Sequence, residues 1–300
     1  PQLNAYNDIQ STVFKSVIKN SCEIFTPPAE ILLLIDSGYS HTTITPLVFG
    51  RPLQNSIRRL DVGGKLLTNH LARLLSMRNY DLMNETYVVN AIKESTCYIS
   101  KDFKLDMERA WKTNNQRLDK KFNPEDSIVK DYVLPDFHFR SKGYVRAHDP
   151  NAPTKLKELI TGKSLGATED FITLGNEQFM VPELLFTPMD IGLRQSGIAQ
   201  QIMDSLSSLP LALWPGFLSN IVCVGGNTKI EGFIVRLQSE IRALAPAECV
   251  VRVARPPEPI LSSWLGGSNL ARDEKTVLKM SVTKEEYDEC GAGWVACKFA

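Results

Sequence analysis

Ile31-Leu32-Leu33-Leu34-Ile35 runs directly into Asp36-Ser37-Gly38. Five aliphatic residues without a polar interruption suit a strand covered on both faces, because side chains on either side of the pleat are apolar. Asp-Ser-Gly is turn chemistry, and residues 42–49 then read as the hairpin partner. The same order returns at Ile221-Val222-Cys223-Val224, which feeds Gly225-Gly226-Asn227-Thr228 and, directly after it, a helix from Phe233 to Leu244. Alternating strands and helices, with two apolar strands ending in polar turns, predict an α/β fold.

Outward from these strands the periodicity is uneven. Residues 1–20 show helical spacing through Ile9, Val13 and Val17, and Pro27-Pro28 ends that region. From Leu66 to about Lys112 helical stripes dominate, Leu67-Leu71-Leu74-Leu75 on one and Val88-Val89-Ile92-Thr96 on the next. Residues 114–169 lose periodicity apart from an island at Tyr132-Val133-Leu134-Pro135, which predicts a long, mobile surface segment. Phe171-Ile172-Thr173-Leu174 with Phe179 reads as a hairpin around Gly175-Asn176. A helix over 198–209, a strand over 250–253, a helix over 264–270 and a last helix opening at Thr283 complete the reading.

Composition excludes several classes. With 300 residues and 43% hydrophobic content the chain can bury a core without disulfides or metals. Lys+Arg and Asp+Glu balance at 34 each, so polyanions could be attracted only by a local patch. Six scattered cysteines suit a reducing compartment and show no zinc-ligand spacing, and neither do the four histidines. No signal peptide or membrane-length apolar run is visible, which points to a soluble intracellular protein.

Chemistry can reside in the two turns. Backbone N–H groups at Asp36-Ser37-Gly38 could grip phosphate while the carboxylate holds a metal-bound water. Gly225-Gly226 lets a nucleotide approach the backbone closely. Either alone is more often an ordinary turn; their joint presence in this order, separated by a helical insertion, makes that reading less attractive.

Seven segments in succession resemble signatures of the actin family. They are Ile31 to Pro46, Leu60-Asp61-Val62-Gly63-Gly64-Lys65-Leu66-Leu67-Thr68, Ile92-Lys93-Glu94 leading to Cys97-Tyr98, Ile172 to Phe179 with Pro182-Glu183, Gly225-Gly226, Trp264-Leu265-Gly266-Gly267-Ser268, and Thr283 to Tyr287. Asp36-Ser37-Gly38-Tyr39-Ser40, Val62 to Leu71, and Asp131-Tyr132-Val133-Leu134-Pro135-Asp136-Phe137 with Gly143-Tyr144 are similar to the sixth class of nuclear actin-related proteins within it. After Phe137, roughly thirty extra residues precede Leu174-Gly175-Asn176-Glu177, more than a compact connection needs.

The resemblance implies an actin-like fold whose N-terminal part is absent from this chain. Residues 1–28 would be a remnant of the first large subdomain, and 29–62 with 189–265 the second. Residues 63–188 would form an outer helical subdomain carrying the insertion at about 114–169, and 266–300 would return to the first. Asp36, Ser37, Gly38, Gly64, Lys93, Glu94, Gly225 and Gly226 match nucleotide-surrounding positions, implying ATP or ADP as a structural ligand with magnesium bound only through it. Read without the family, Lys93-Glu94 is a solvated helix face. Where actin continues Asp-Ser-Gly-Asp-Gly-Val-Thr-His, this chain has Tyr39, Ser40 and Thr43 in place of the second Asp, its Gly and the His. Phosphoryl transfer rests on positioning and electrostatics, so these losses predict no appreciable hydrolysis.

The implied role is a non-catalytic subunit of a nuclear Swr/SRCAP-type remodelling complex, beside a zinc-HIT-finger subunit and near nucleosomes, with some protein in the cytoplasm. The alternatives are an active actin-like ATPase and a filament-forming cytoskeletal relative. Residues 138–163 hold six basic and two acidic residues, a net charge of +4 in a neutral chain. Tyr132, Phe137, Phe139, Arg140, Lys142, Tyr144 and Arg146 are therefore the candidate partner-binding residues, set against a plain solvated linker.

Overall fold

The computed structural model describes residues 30–78, 81–116, 128–138, 140–149 and 169–298. The expected helix over 1–20 lies outside them, as do Phe139 and residues 150–168. In chain order the strands are β1 (Ile31–Ser37), β2 (Thr42–Val48), β3 (Arg51–Pro52), β4 (Arg58–Leu60), β5 (Lys130–Val133), β6 (Tyr144–Ala147), β7 (Phe171–Leu174), β8 (Ile221–Val224) and β9 (Val253–Ala254). They form a mixed α/β chain of the actin fold.

Two compact units divide the chain. One holds residues up to Asp61, Ser196–Lys229 and Leu237 onward; the other holds Val62–Gln195 and Ile230–Arg236. In the first, a six-stranded sheet runs β3-β2-β1-β8-β9, with β4 also paired to β2. Leu32, Leu33, Leu34 and Ile35 are all buried, as are all four residues of β8. This is the burial expected of central strands covered on both faces. β1 pairs antiparallel with β2 and parallel with β8. Leu32, Leu34, Leu47, Val222 and Val224 form one apolar cluster, the period-2 consequence of that pairing. The helix Ile198–Ser207 is tied to the segment before β4 by Ser205 Oγ, which donates to the Ser56 carbonyl at 2.6 Å.

In the second unit the helices Gly64–Ser76 and Thr86–Thr96 pack together. Leu67, Leu71 and Leu75 are buried on one, Val88, Val89, Ile92 and Thr96 on the other, following the 3.6-residue stripe. A three-stranded antiparallel sheet of order β6-β5-β7 accompanies them.

Several expectations need correction. The segment 114–169 is not uniformly irregular: helix Phe103–Gln116 continues into it, and both β5 and β6 lie within it. Short strands of mixed polarity escape a periodicity reading, because pairing rather than patterning stabilises them. Gly175-Asn176 does not turn a hairpin. The Glu177 carboxylate accepts the Gly175 N–H at 2.8 Å and starts the helix Glu177–Glu183, which buries Phe179 against Tyr98 and Phe103. The strand expected at 250–253 is reduced to Val253–Ala254. A short 3-10 turn, Gly226–Lys229, separates the glycine pair from helix Phe233–Leu244.

Candidate functional site

Parallel pairing sets Leu33 beside Ile221 and Asp36 beside Val224, so β1 and β8 end together. Their turns, Asp36-Ser37-Gly38 and Gly225-Gly226, therefore lie side by side in the first unit, at the carboxyl ends of parallel strands where α/β sheets receive ligands. Gly225 has φ +93°, and a Cβ there would stand 2.3 Å from the Ser37 carbonyl oxygen and 2.9 Å from Asp36 Oδ1. Only glycine permits this approach. Gly226 differs: it is exposed, and a Cβ built on it meets nothing nearer than Ile260 at 4.0 Å. Its outward side is open to a ligand.

Hydrogen bonds join the two turns. Asn227 Nδ2 donates to Ser37 Oγ at 3.1 Å and to the Gly38 carbonyl at 2.8 Å. Ser37 Oγ and Thr42 Oγ1 share a bond of 2.9 Å. The Gly225 N–H donates to the Pro259 carbonyl at 3.0 Å, and Thr228 Oγ1 to the Gly225 carbonyl at 2.7 Å. The Gly38 N–H donates to the His41 carbonyl at 3.2 Å, which closes the turn between β1 and β2. Burial pushes the Asp36 carboxyl above the usual carboxylate range, and nearby His41 partly offsets this. A half-buried carboxylate with open glycine backbone beside it suits a magnesium-bound nucleotide phosphate, so the residues fit the implied ligand. Among the described residues no group of three or more His, Cys, Asp or Glu could hold a metal by itself.

In the second unit, Gly64 and Lys93 come together and Glu94 faces solvent. Lys93 is only 6% exposed, which corrects its reading as a solvated helix face. Its Nζ donates to the Gly64 carbonyl at 3.3 Å and to Thr68 Oγ1 at 2.9 Å. Burial pushes this ammonium below the ordinary lysine range, opposed by Glu94 and Cys97. Glu94 accepts a 2.8 Å bond from Asn90 Nδ2 on the same helix. Asn227, Thr42 and Pro259 were missed by the sequence reading. An amide directly after Gly-Gly was the available signal, since Asn side chains bond turn backbones.

The candidate partner-binding residues separate by environment. Tyr132 is 2% exposed in the central strand of the small sheet, so it is a core residue and not a docking residue. Phe137 is 65% exposed and has φ +57°, unusual for an aromatic residue. Asp136 Oδ1 braces this turn by accepting the N–H groups of His138 (3.1 Å) and Arg140 (2.8 Å). Arg140 contacts Glu169 at 3.2 Å and stacks over Tyr144 at 5.0 Å, while Tyr144 Oη donates to Glu169 at 3.1 Å. Arg146 lies 3.6 Å from Glu169 and 4.4 Å over the Phe171 ring. Beneath it, buried Asp131 accepts from Thr173 Oγ1 at 2.8 Å and meets His148 Nδ1 at 2.8 Å. Glu169 and Asp131 lie outside the window that gave a net positive charge, and they offset it locally. Lys142 is exposed.

Cys97, Cys223 and Cys249 are buried free thiols, and burial pushes the Cys97 thiol up to about 12 and the Cys223 thiol up as well, which makes those two poor nucleophiles. Among the described residues no helix is long and apolar enough to cross a membrane.

The family model "Actin" matches residues 1–300. Actin-related protein 6 of Neurospora crassa is 52% identical over 300 residues, covering 100% of this chain and 65% of the relative. Actin-like protein arp6 of Emericella nidulans is 50% identical over 302 residues, covering 100% and 62%. Actin-related protein 6 of Drosophila melanogaster is 38% identical over 259 residues, covering 86% and 60%. The chain thus spans less than two thirds of the length of these relatives.

Proposed function

The chain belongs to the actin family as an actin-related protein, and on that premise we propose that it is a non-catalytic, architectural subunit of a nuclear chromatin-remodelling complex. That complex exchanges a standard histone for its Z variant, and its ATPase motor is another chain. This subunit contributes to assembly beside a zinc-HIT-finger subunit and to engagement of the nucleosome. ATP or ADP, with magnesium bound through it, is a structural ligand in this reading.

The observation that carries the non-catalytic reading is the turn after Asp36. Tyr39 is 58% exposed at its tip, and the residue paired with Asp36 across β1 and β2 is Thr43. Neither can orient an attacking water as an imidazole or second carboxylate would. Retention of Asp36, Gly225 and Gly226 in one bonded turn pair supports binding without turnover. The exposed Phe137, held out by a braced turn, supports a docking role for the insertion, since exposed aromatic anchors carry interface energy.

The test is ATP turnover by the purified full-length protein against Asp36→Ala, together with co-purification of the zinc-finger subunit. The expected result is the same negligible rate for both proteins and intact co-purification. Clear turnover that disappears in Asp36→Ala would establish an ATPase instead.

A further inference from the structure

Asn227 is 95% buried, and its side-chain amide donates to both Ser37 Oγ and the Gly38 carbonyl. The hairpin that carries the phosphate turn does not need this amide. Seven residue pairs fix the β1–β2 register, and the turn has its own Gly38-to-His41 bond. Ser37 and Thr42 are both fully buried and bonded to each other at the base of the turn. What the hairpin lacks is a bond of its own that sets its tip relative to Gly225-Gly226.

Asn227 supplies that bond twice, from the residue directly after the glycine pair. Gly38 can move through more backbone conformations than any other residue type could at that position. A donor fixed by burial on its carbonyl removes that freedom. The N–H groups of Tyr39, Ser40 and His41 have no protein acceptor among the described residues. Successive unpaired N–H groups in a turn form an anion-binding concavity, provided that the turn is held still.

We propose that Asn227 is a positioning residue for the phosphates of a nucleoside di- or triphosphate. It holds the Gly38–His41 turn against the glycine turn, so that the phosphate cradle exists before ligand arrives. This rests on the reading that the chain binds nucleotide, and it adds which side chain sets the geometry of the phosphate end.

The test uses the full-length protein, with Mg-ADP and adenosine as probes in titration calorimetry. Asn227→Ala is expected to weaken Mg-ADP about tenfold, the effect of losing one to two such bonds, and to leave adenosine within about twofold. In the nucleotide-free protein, amide hydrogen exchange at Gly38, whose N–H is bonded to the His41 carbonyl, should accelerate while β1 and β8 stay protected. Ser37→Ala, which keeps the Gly38 bond, should weaken Mg-ADP by less; it carries the test if Asn227→Ala fails to fold. Equal losses for both probes would reduce Asn227 to a structural pin and overturn the proposal. So would wild-type Mg-ADP affinity in a folded Asn227→Ala, or unchanged exchange at Gly38. A wild-type protein that binds neither probe would overturn the nucleotide reading and this proposal together, whereas wild-type binding without a variant effect overturns the proposal alone.

Discussion

Asp36 sits in a place that penalises its charged form. Burial raises the pKa of its carboxyl, so between the ordinary carboxylate pKa and its own folded pKa the native state binds more protons than the unfolded chain. Stability therefore falls as pH rises through that window, and the penalty is fully present above the folded pKa. Asp36→Asn should raise the melting temperature of the nucleotide-free protein at pH 7, and the advantage should shrink as pH falls toward 4. A pH-independent difference would mean that the change acts through packing and not through the charge. A residue that costs stability while lining an open turn is what a ligand site requires. Lys93 is a similar case with opposite charge, but its ammonium is satisfied by Gly64 and Thr68, so its role as a direct ligand contact is narrower than its position in the sequence suggests.

Among the elements, the β5–β6 hairpin is the most informative. A Cβ on Gly143 would stand 2.3 Å from the Val133 carbonyl oxygen and 2.5 Å from the Tyr132 ring, so the strands close only over glycine. Gly143→Ala should cost about 2 kcal/mol or more, measured by denaturant unfolding, because the clash involves backbone that cannot swing aside. Phe137 gives the opposite sign. Its left-handed backbone costs about 1 kcal/mol that glycine would not incur, so Phe137→Gly should leave the protein as stable or slightly more so. The same variant should lose affinity for the proposed zinc-finger partner if the exposed ring is an anchor. Unchanged affinity in a pull-down would remove Phe137 from the proposed docking surface. Arg140 and Arg146 are weaker candidates for that surface, since both are paired with Glu169 and exposed pairs of this kind contribute little by themselves.

For the whole molecule, nucleotide binding should register as stability. A ligand that binds only the folded chain adds about 2.7 kcal/mol at a hundredfold excess over its Kd, so Mg-ADP should raise the melting temperature. Gly226→Val should abolish that rise without unfolding the protein, because a side chain there has room on the protein side and obstructs only the open side. A rise of the same size in Gly226→Val would place the ligand elsewhere. Gly225→Ala is no substitute for this test, since its Cβ would collide with Ser37 and damage the sheet itself.

By itself the sequence determined the α/β class, the central strands β1 and β8, and the long amphipathic helices. Those features depend on local runs and on 3.6-residue spacing, which any chain of these residues must bury. It also marked both turns of the candidate site, because Asp-Ser-Gly and Gly-Gly limit backbone conformation locally. Only the tertiary structure decided that Asn227 bonds Ser37 and Gly38, that Lys93 is buried, and that Tyr132 is core. It likewise decided that Glu169 and Asp131 neutralise arginines which looked free when charge was counted within a window. Each of these depends on a partner distant along the chain, and parallel and antiparallel strand pairing brings such partners together without leaving a local pattern to read.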